Sequence, residues 1–232
     1  MMNKWYVLPI VLLIVAVPAY LFLFDEGYCP DIEEMADANI QVIGDSVFGS
    51  DADGCASIAG FMSLRLELRV TDHAIPGATV IGEDGIPSQY VTGDWRWTVI
   101  DGGGNDVMAY CSEGDDDECD EKLDEIMTND NKGLMPDLIN KAKDDGSKVI
   151  ILGYYGIPEG SEFEDVVLQV EILNDRYNEF AEVNDDVYFI SLKDVMSPEE
   201  TPDYYSDDLV HPSEEGHQAI GNHIADFITN SG

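Results

Sequence analysis

The feature that most constrains this chain is the alternation of short, mainly apolar runs with longer segments of helical periodicity. Ile40-Gln41-Val42-Ile43, Glu67-Leu68-Arg69-Val70-Thr71, Trp97-Thr98-Val99-Ile100, Lys148-Val149-Ile150-Ile151-Leu152 and Val187-Tyr188-Phe189-Ile190-Ser191 read as strands. Between them, residues 56–66 place Ile58, Phe61, Met62 and Leu66 on one helical face. Residues 164–183 do the same with Val167, Val170, Leu173, Tyr177 and Phe180. Residues 133–144 and 217–228 complete the helices. Apolar strands alternating with helices of ten residues or so require a mostly parallel sheet covered on both faces. The expected fold class is therefore α/β, with a five-stranded, mostly parallel sheet. In such sheets ligands bind beyond the carboxyl ends of the strands. The polar and glycine-rich clusters fall there: Asp45-Ser46 after the first strand, Gly77 after the second, Asn105 after the third. No internal repeat or linker divides this region.

Outside that pattern lies residues 1–27. Lys4 precedes twenty uncharged residues, Trp5 to Phe24, and Asp25 and Glu26 follow. Twenty helical residues span roughly 30 Å, the hydrocarbon thickness of a bilayer, and the flanking charges orient residues 28–232 outward. An uncleaved signal-anchor is favoured over a signal peptide cut after Val17 and Ala19, because cleavage there would leave Tyr20-Leu21-Phe22-Leu23-Phe24 on the mature end. Both readings export the domain to a periplasmic or extracellular location. The four cysteines, Cys29, Cys55, Cys111 and Cys119, suit an oxidising compartment and two disulfides, with three pairings open. Cys111 and Cys119 flank what reads as a short acidic loop.

The formal net charge is -37, which excludes a nucleic-acid partner, since such a surface repels phosphate. The run Asp115, Asp116, Asp117, Glu118, Asp120 and Glu121 reads as solvated surface in preference to a cation site, because it lacks the alternating ligands and turn glycine of a calcium loop. The expected metal set is none.

The chemistry-bearing residues form one constellation. A serine hydroxyl needs a base to take its proton and a third group to orient that base. Ser46 stands where a strand turns toward a helix. Asp208-Leu209-Val210-His211 can bring a carboxylate to one imidazole nitrogen and leave the other free for Ser46, with Pro212 suited to a helix start. The backbone N–H groups of Ser46 and Gly77 and the side-chain amide of Asn105 are the expected oxyanion donors. Each piece alone is ordinary: Gly-Asp-Ser is a common turn, and Gly102 to Asp106 could be a simple glycine-rich turn. Their order and their shared placement at strand ends raise the joint case. His73, His217 and His223 are set aside as surface or packing residues, and Asp207 sits one residue too far from His211 to replace Asp208.

Gly44-Asp45-Ser46, Pro76-Gly77-Ala78-Thr79, Gly104-Asn105-Asp106 and Asp208-Leu209-Val210-His211-Pro212 resemble the four signature blocks of the SGNH (GDSL-type) hydrolases, in their usual order from about Ile40 to Phe227. The resemblance implies a flavodoxin-like three-layer α/β/α sandwich and a serine ester hydrolase with no cofactor. It also implies Ser46, Asp208 and His211 as the catalytic triad, with Ser46, Gly77 and Asn105 as the oxyanion hole. Two positions depart from the pattern: Val47 stands where leucine names the family, and Asp72-His73-Ala74 where an asparagine is common. Lipid acyl esters and acetylated glycans are both open as substrates. Tyr154, Tyr155 and Ile157 after the fourth strand suit either an acyl trough or sugar stacking. Acyl transfer to an alcohol, or a membrane-tethered binding domain without turnover, are the alternatives. Oligomeric state is not encoded in any of these features.

Overall fold

The computed structural model describes residues 32, 35–48, 54–112 and 115–231. The apolar segment at residues 5–24 and Cys29 lie outside the described residues. The five strands are β1 (Asp37–Ile43), β2 (Arg69–Asp72), β3 (Trp97–Ile100), β4 (Lys148–Gly153) and β5 (Val187–Ser191). They pair in the order β2-β1-β3-β4-β5, and every pairing is parallel. This is the doubly wound order whose topological switch lies between β1 and β3, where the chain leaves in opposite directions and opens a crevice.

Strand side chains alternate between two cores, as a period of two requires. Ile43, Ile100, Val149, Ile151 and Val187 face one, together with α4 (Leu134–Asp144) and α5 (Val167–Glu182). Val42, Val99, Ile150, Leu152 and Ile190 face the other, beneath α1 (Ile58–Leu66) and α6 (Glu214–Asn230). The three-layer α/β/α sandwich is thus present, with a buried apolar sheet at its centre.

Several boundaries differ from the sequence reading, each for a local reason. Glu67 belongs to no strand: it adopts φ 55 as the left-handed cap of α1, with its N–H bonded to the Ser63 carbonyl. Helix α6 begins at Glu214 because Ser213 caps it, accepting from the Gly216 N–H, and Glu214 and Glu215 favour its positive end. Two helices lie where the sequence has no marked apolar periodicity. Residues Gly104–Cys111 form α2, directly from the glycine-rich turn, and Asp116–Ile126 form α3. The acidic run is therefore largely helical. Asp115 caps α3 through the Asp117 N–H, and Asp116, Asp117 and Glu118 occupy its first turn, where negative charge meets the helix dipole. Cys119, Leu123 and Ile126 are its buried side chains. Cys111 at the end of α2 is disulfide-bonded to Cys119 in α3, so the bond joins two helices. Cys55 is also disulfide-bonded.

Candidate active site

The carboxyl end of β1 delivers Ser46. Gly44 ends the strand at a point where a side chain is impossible: an added Cβ would lie 1.5 Å from Asp101 Oδ1. Both backbone groups of Gly44 are held by Gln89, whose Oε1 accepts the Gly44 N–H and whose Nε2 donates to the Gly44 carbonyl, each at 2.8 Å. The Asp45 N–H then donates to Asp101 Oδ1 at 2.9 Å, and Asp45 Oδ1 accepts the Val47 N–H at 3.0 Å. Gly44, Asp45 and Val47 are thereby held on either side of Ser46, which lines the cavity.

His211 reaches Ser46 from a separate loop. Tyr205 and Pro212 form an isolated antiparallel bridge, with the Ser206 N–H on the His211 carbonyl and the Ser213 N–H on the Tyr204 carbonyl. Pro212 therefore precedes the helix as part of this clasp instead of starting it. Within the loop, Asp208 Oδ1 accepts from the Ser206 hydroxyl and from the N–H groups of Val210 and His211. This closes the turn in which Leu209 adopts a left-handed φ of 59, unusual for a branched residue. Asp208 Oδ2 lies 2.6 Å from His211 Nδ1, and His211 Nε2 lies 2.9 Å from Ser46 Oγ. Partial burial pulls the Asp208 carboxyl upward, but the bonds from the His211 ring, Ser206 and the two backbone N–H groups carry it well below the usual carboxylate range. It is an anion at any pH near neutrality. The proton on Nδ1 is drawn to that anion, leaving Nε2 able to accept from the serine hydroxyl.

The opposite wall comes from the two neighbouring strand ends. Gly77 sits in the loop after β2 with φ 75, and Asn105 in the first turn of α2. One Asn105 Nδ2 hydrogen donates to the Ala78 carbonyl at 2.9 Å, which sets the amide and leaves its second hydrogen available. Asp106 binds the two loops together, accepting the Val80 and Ile81 N–H groups at 2.7 and 3.0 Å. Burial raises its carboxyl to about 6, against those two hydrogen bonds. Among the described residues, neither the Ser46 N–H nor the Gly77 N–H donates to another protein group. Two unengaged backbone donors and an oriented amide thus share the wall.

Ser46, Gly77, Asn105 and His211 line one cavity of about 410 Å³, with Asp208 behind His211. The rest of the wall is mostly apolar, including Tyr155, Ile157, Phe163, Val170 and Leu209. Tyr154 closes the floor: its hydroxyl accepts the Gly104 N–H at 2.6 Å and donates to Asp45 Oδ2 at 3.2 Å. The Tyr155 hydroxyl donates to the Val210 carbonyl, and its ring meets Tyr205 edge-on. His73 and His217 are absent from the lining. His73 packs edge-on against Trp95, while burial of His217 in α6 lowers its pKa to about 4. Among the described residues, no cluster of three His, Cys, Asp or Glu side chains is arranged to hold a metal ion.

No motif or spacing in the sequence places Gln89, Asp101 and Tyr154 beneath Ser46. Their partners lie 45, 56 and 109 residues away along the chain. Only the sheet order brings them together.

Comparison with known proteins shows the family. Residues 42–219 match the model of the GDSL-like lipase/acylhydrolase family. The chain belongs to that family, and so to the SGNH hydrolases, which makes it an ester-bond hydrolase. Among solved structures, Est24, a carbohydrate acetylesterase from Sinorhizobium meliloti, is similar at 15% identity and a TM-score of 0.62, over 83% of this chain and 99% of that one. A member of the lipolytic G-D-S-L family from Veillonella parvula is similar at 17% identity and a TM-score of 0.63, over 82% and 97%. A family two carbohydrate esterase from Clostridium thermocellum, solved with cellohexaose, aligns at 16% identity and a TM-score of 0.53, over 83% of this chain and 63% of that one. At these identities the likeness is one of fold. No curated protein matches the chain by sequence.

Proposed function

We propose that the chain hydrolyses carboxylic esters through Ser46, His211 and Asp208, and that its preferred esters carry an apolar acyl chain longer than acetyl. The hydrogen-bonded series Asp208–His211–Ser46 supports the catalytic part of this reading. Ser46 Oγ attacks the ester carbonyl while His211 Nε2 takes its proton, and the Asp208 anion stabilises the resulting imidazolium. The developing oxyanion is met by the Ser46 and Gly77 N–H groups and the free hydrogen of Asn105. Collapse breaks the ester C–O bond, and the departing alkoxide takes the proton from His211. Water, activated by the same imidazole, then attacks the acyl-Ser46 carbonyl, and the acid leaves with Ser46 restored.

The cavity supports the proposed acyl group. At about 410 Å³ it falls within the range of roughly 300–1,000 Å³ that encloses whole small ligands, far more than an acetyl group fills. Its tyrosines are not arranged for sugar stacking: Tyr155 is 7% exposed, and both Tyr154 and Tyr155 spend their hydroxyls on internal partners. The test is a p-nitrophenyl ester series from acetyl to palmitoyl, run beside an acetylated glycan, with Ser46→Ala as control. Each buried methylene is worth about 0.8 kcal/mol, so kcat/KM is expected to climb by up to about fourfold per CH₂ until the cavity is full. Activity confined to acetyl esters overturns the acyl-chain reading. Unchanged ester cleavage by Ser46→Ala overturns the catalytic one.

The apolar segment at residues 5–24 supports a further part of the proposal, that the domain acts outside the cytoplasmic membrane, tethered through its N-terminus. Recovery of the full-length protein in the soluble cytosolic fraction contradicts this.

A further inference from the structure

The site contains a carboxyl group that the reaction does not use. Asp101 directly follows β3 and is 2% exposed; Asp45, which faces it from beyond the end of β1, is 3% exposed. Asp101 Oδ1 fills the space left by the absent side chain of Gly44 and accepts the Asp45 N–H. Asp101 Oδ2 makes no hydrogen bond. No ion pair among the described residues involves Asp45, Asp101 or Asp106.

We propose that Asp101 is a positioning residue for the ester hydrolysis, held as a neutral carboxylic acid directly beneath the Ser46 turn, and that its ionisation at alkaline pH disorders that turn and ends activity. This rests on the reading of Ser46 as nucleophile. An ionised buried carboxylate needs donors on both oxygens or a cation beside it. Asp45 has donors: Val47 N–H on Oδ1 and the Tyr154 hydroxyl on Oδ2. Asp101 has one, on one oxygen only. Two adjacent carboxylates in a dry site cannot both ionise cheaply, so the less well-solvated one retains its proton.

Of the influences on Asp101, only the Asp45 N–H favours its ionised form. Burial is the largest effect and the Asp45 charge the next, and Asp72 at the end of β2 adds a further negative charge; together they raise Asp101 well above the usual carboxylate range. Tyr154 and Tyr155 from the segment after β4 and Tyr177 from α5 also feel the charge of Asp101, while Asp106 from α2 feels that of Asp45. Burial raises Asp45 as well, with Val47, Tyr154, Asp101 and His211 opposing. The lower-lying member of the pair is Asp45, the one with more donors.

The consequence for function runs through the hydrogen bonds. Asp101 holds the Asp45 N–H, Asp45 holds Tyr154, and Tyr154 holds the Gly104 N–H beside Asn105. One chain of contacts therefore ties the Ser46 turn to the oxyanion wall. A second negative charge on Asp101 repels Asp45 and loosens both ends together.

The test measures kcat and KM from pH 6 to pH 10.5 for the wild type, Asp101→Asn and Asp101→Leu on one p-nitrophenyl ester. Asparagine keeps the Oδ1 acceptor and cannot ionise. Asp101→Asn is expected to retain kcat within about threefold at pH 7.5 and to lose the alkaline fall of the wild type. Asp101→Leu, which removes the acceptor, is expected to lose at least tenfold in kcat with KM little changed. A second readout does not need active variants: the infrared difference spectrum of wild type minus Asp101→Asn at pH 7.5 is expected to contain the C=O band of a protonated carboxylic acid. An alkaline limb in Asp101→Asn that superposes on the wild type, or absence of that band, overturns the inference. If Ser46→Ala is inactive in the same assays, such a failure belongs to Asp101 alone; if Ser46→Ala is fully active, the catalytic reading itself has failed.

Discussion

Replacing Asp208 by asparagine separates its chemical role from its structural one. Three donors converge on Oδ1, from Ser206, Val210 and His211, at 2.6, 2.8 and 2.9 Å. An asparagine carbonyl placed there keeps all three and preserves the turn. Its NH₂ group then faces His211 Nδ1, where Oδ2 stood at 2.6 Å. A donor at that point forces Nδ1 to accept, so the ring proton moves to Nε2 and points at Ser46. The imidazole can no longer take the serine proton. In a fully buried triad this exchange costs about 10⁴ in kcat. The Asp208 side chain is 51% exposed, so water and ring reorientation recover part of the loss. The expected fall is about 10³, or about 4 kcal/mol at 1.36 kcal/mol per factor of ten. The assay is steady-state hydrolysis of p-nitrophenyl butyrate, with reactive sites counted by a fluorophosphonate and Tm measured alongside. Asp208→Asn should melt within a few degrees of the wild type. Asp208→Ala should lose comparable activity and also Tm, since it releases the turn holding Leu209. An Asp208→Asn enzyme within tenfold of wild-type kcat refutes the reasoning.

Four further expectations follow from the same contacts. Asn105→Ala removes one oxyanion donor and should cost about 10²–10³ in kcat with little change in KM, measured on the same ester. Ile157→Trp narrows the cavity and should lower kcat/KM at least tenfold for octanoyl esters while sparing acetyl, read from the chain-length series. Gly44→Ala collides with Asp101 Oδ1 and should cost about 3 kcal/mol or more of stability, measured by urea denaturation. His217 is held neutral by burial, with its folded pKa near 4 and its unfolded value at 6.5. Its contribution to stability is complete above pH 6.5 and is lost as pH falls toward 4. Between pH 6.5 and 5 the loss is about 2 kcal/mol at 1.36 kcal/mol per unit, and the Tm of His217→Gln should depend less on pH across that window.

The sheet and the residues proposed to react were legible in the sequence because both rest on local signals. β3 and β5 match their apolar runs, and β1 and β4 contain theirs. Ser46, Asp208 and His211 stand in short motifs whose turns close on themselves, as the Asp208 bonds to Val210 and His211 illustrate. What supports them was not legible. Gln89 clamps Gly44 from a one-turn helix after a long loop, and Asp101 and Tyr154 act on residues from other strands. No periodicity or spacing reports such contacts, because strand order alone makes them. Helix α3 was hidden for another reason. Its run of acids resembles a solvated loop until Asp115 is seen capping it and Leu123 and Ile126 are seen turned inward. Helix α2 hid behind glycines that read as a turn, and Gly103 with φ 104 is indeed one, immediately before the helix begins. The proposed preference for a longer acyl chain had no sequence signal either, since it rests on the volume enclosed by Tyr155, Phe163 and Val170.

The central claim is that Ser46 is the nucleophile. The most direct measurement is covalent labelling of purified protein with a fluorophosphonate, followed by mass mapping of the modified peptide and assay of residual ester cleavage. The account predicts one label per chain, on Ser46, with activity lost in proportion and neither label nor activity in Ser46→Ala. Labelling of a different residue, or full esterase activity in a protein whose Ser46 is completely modified, contradicts it.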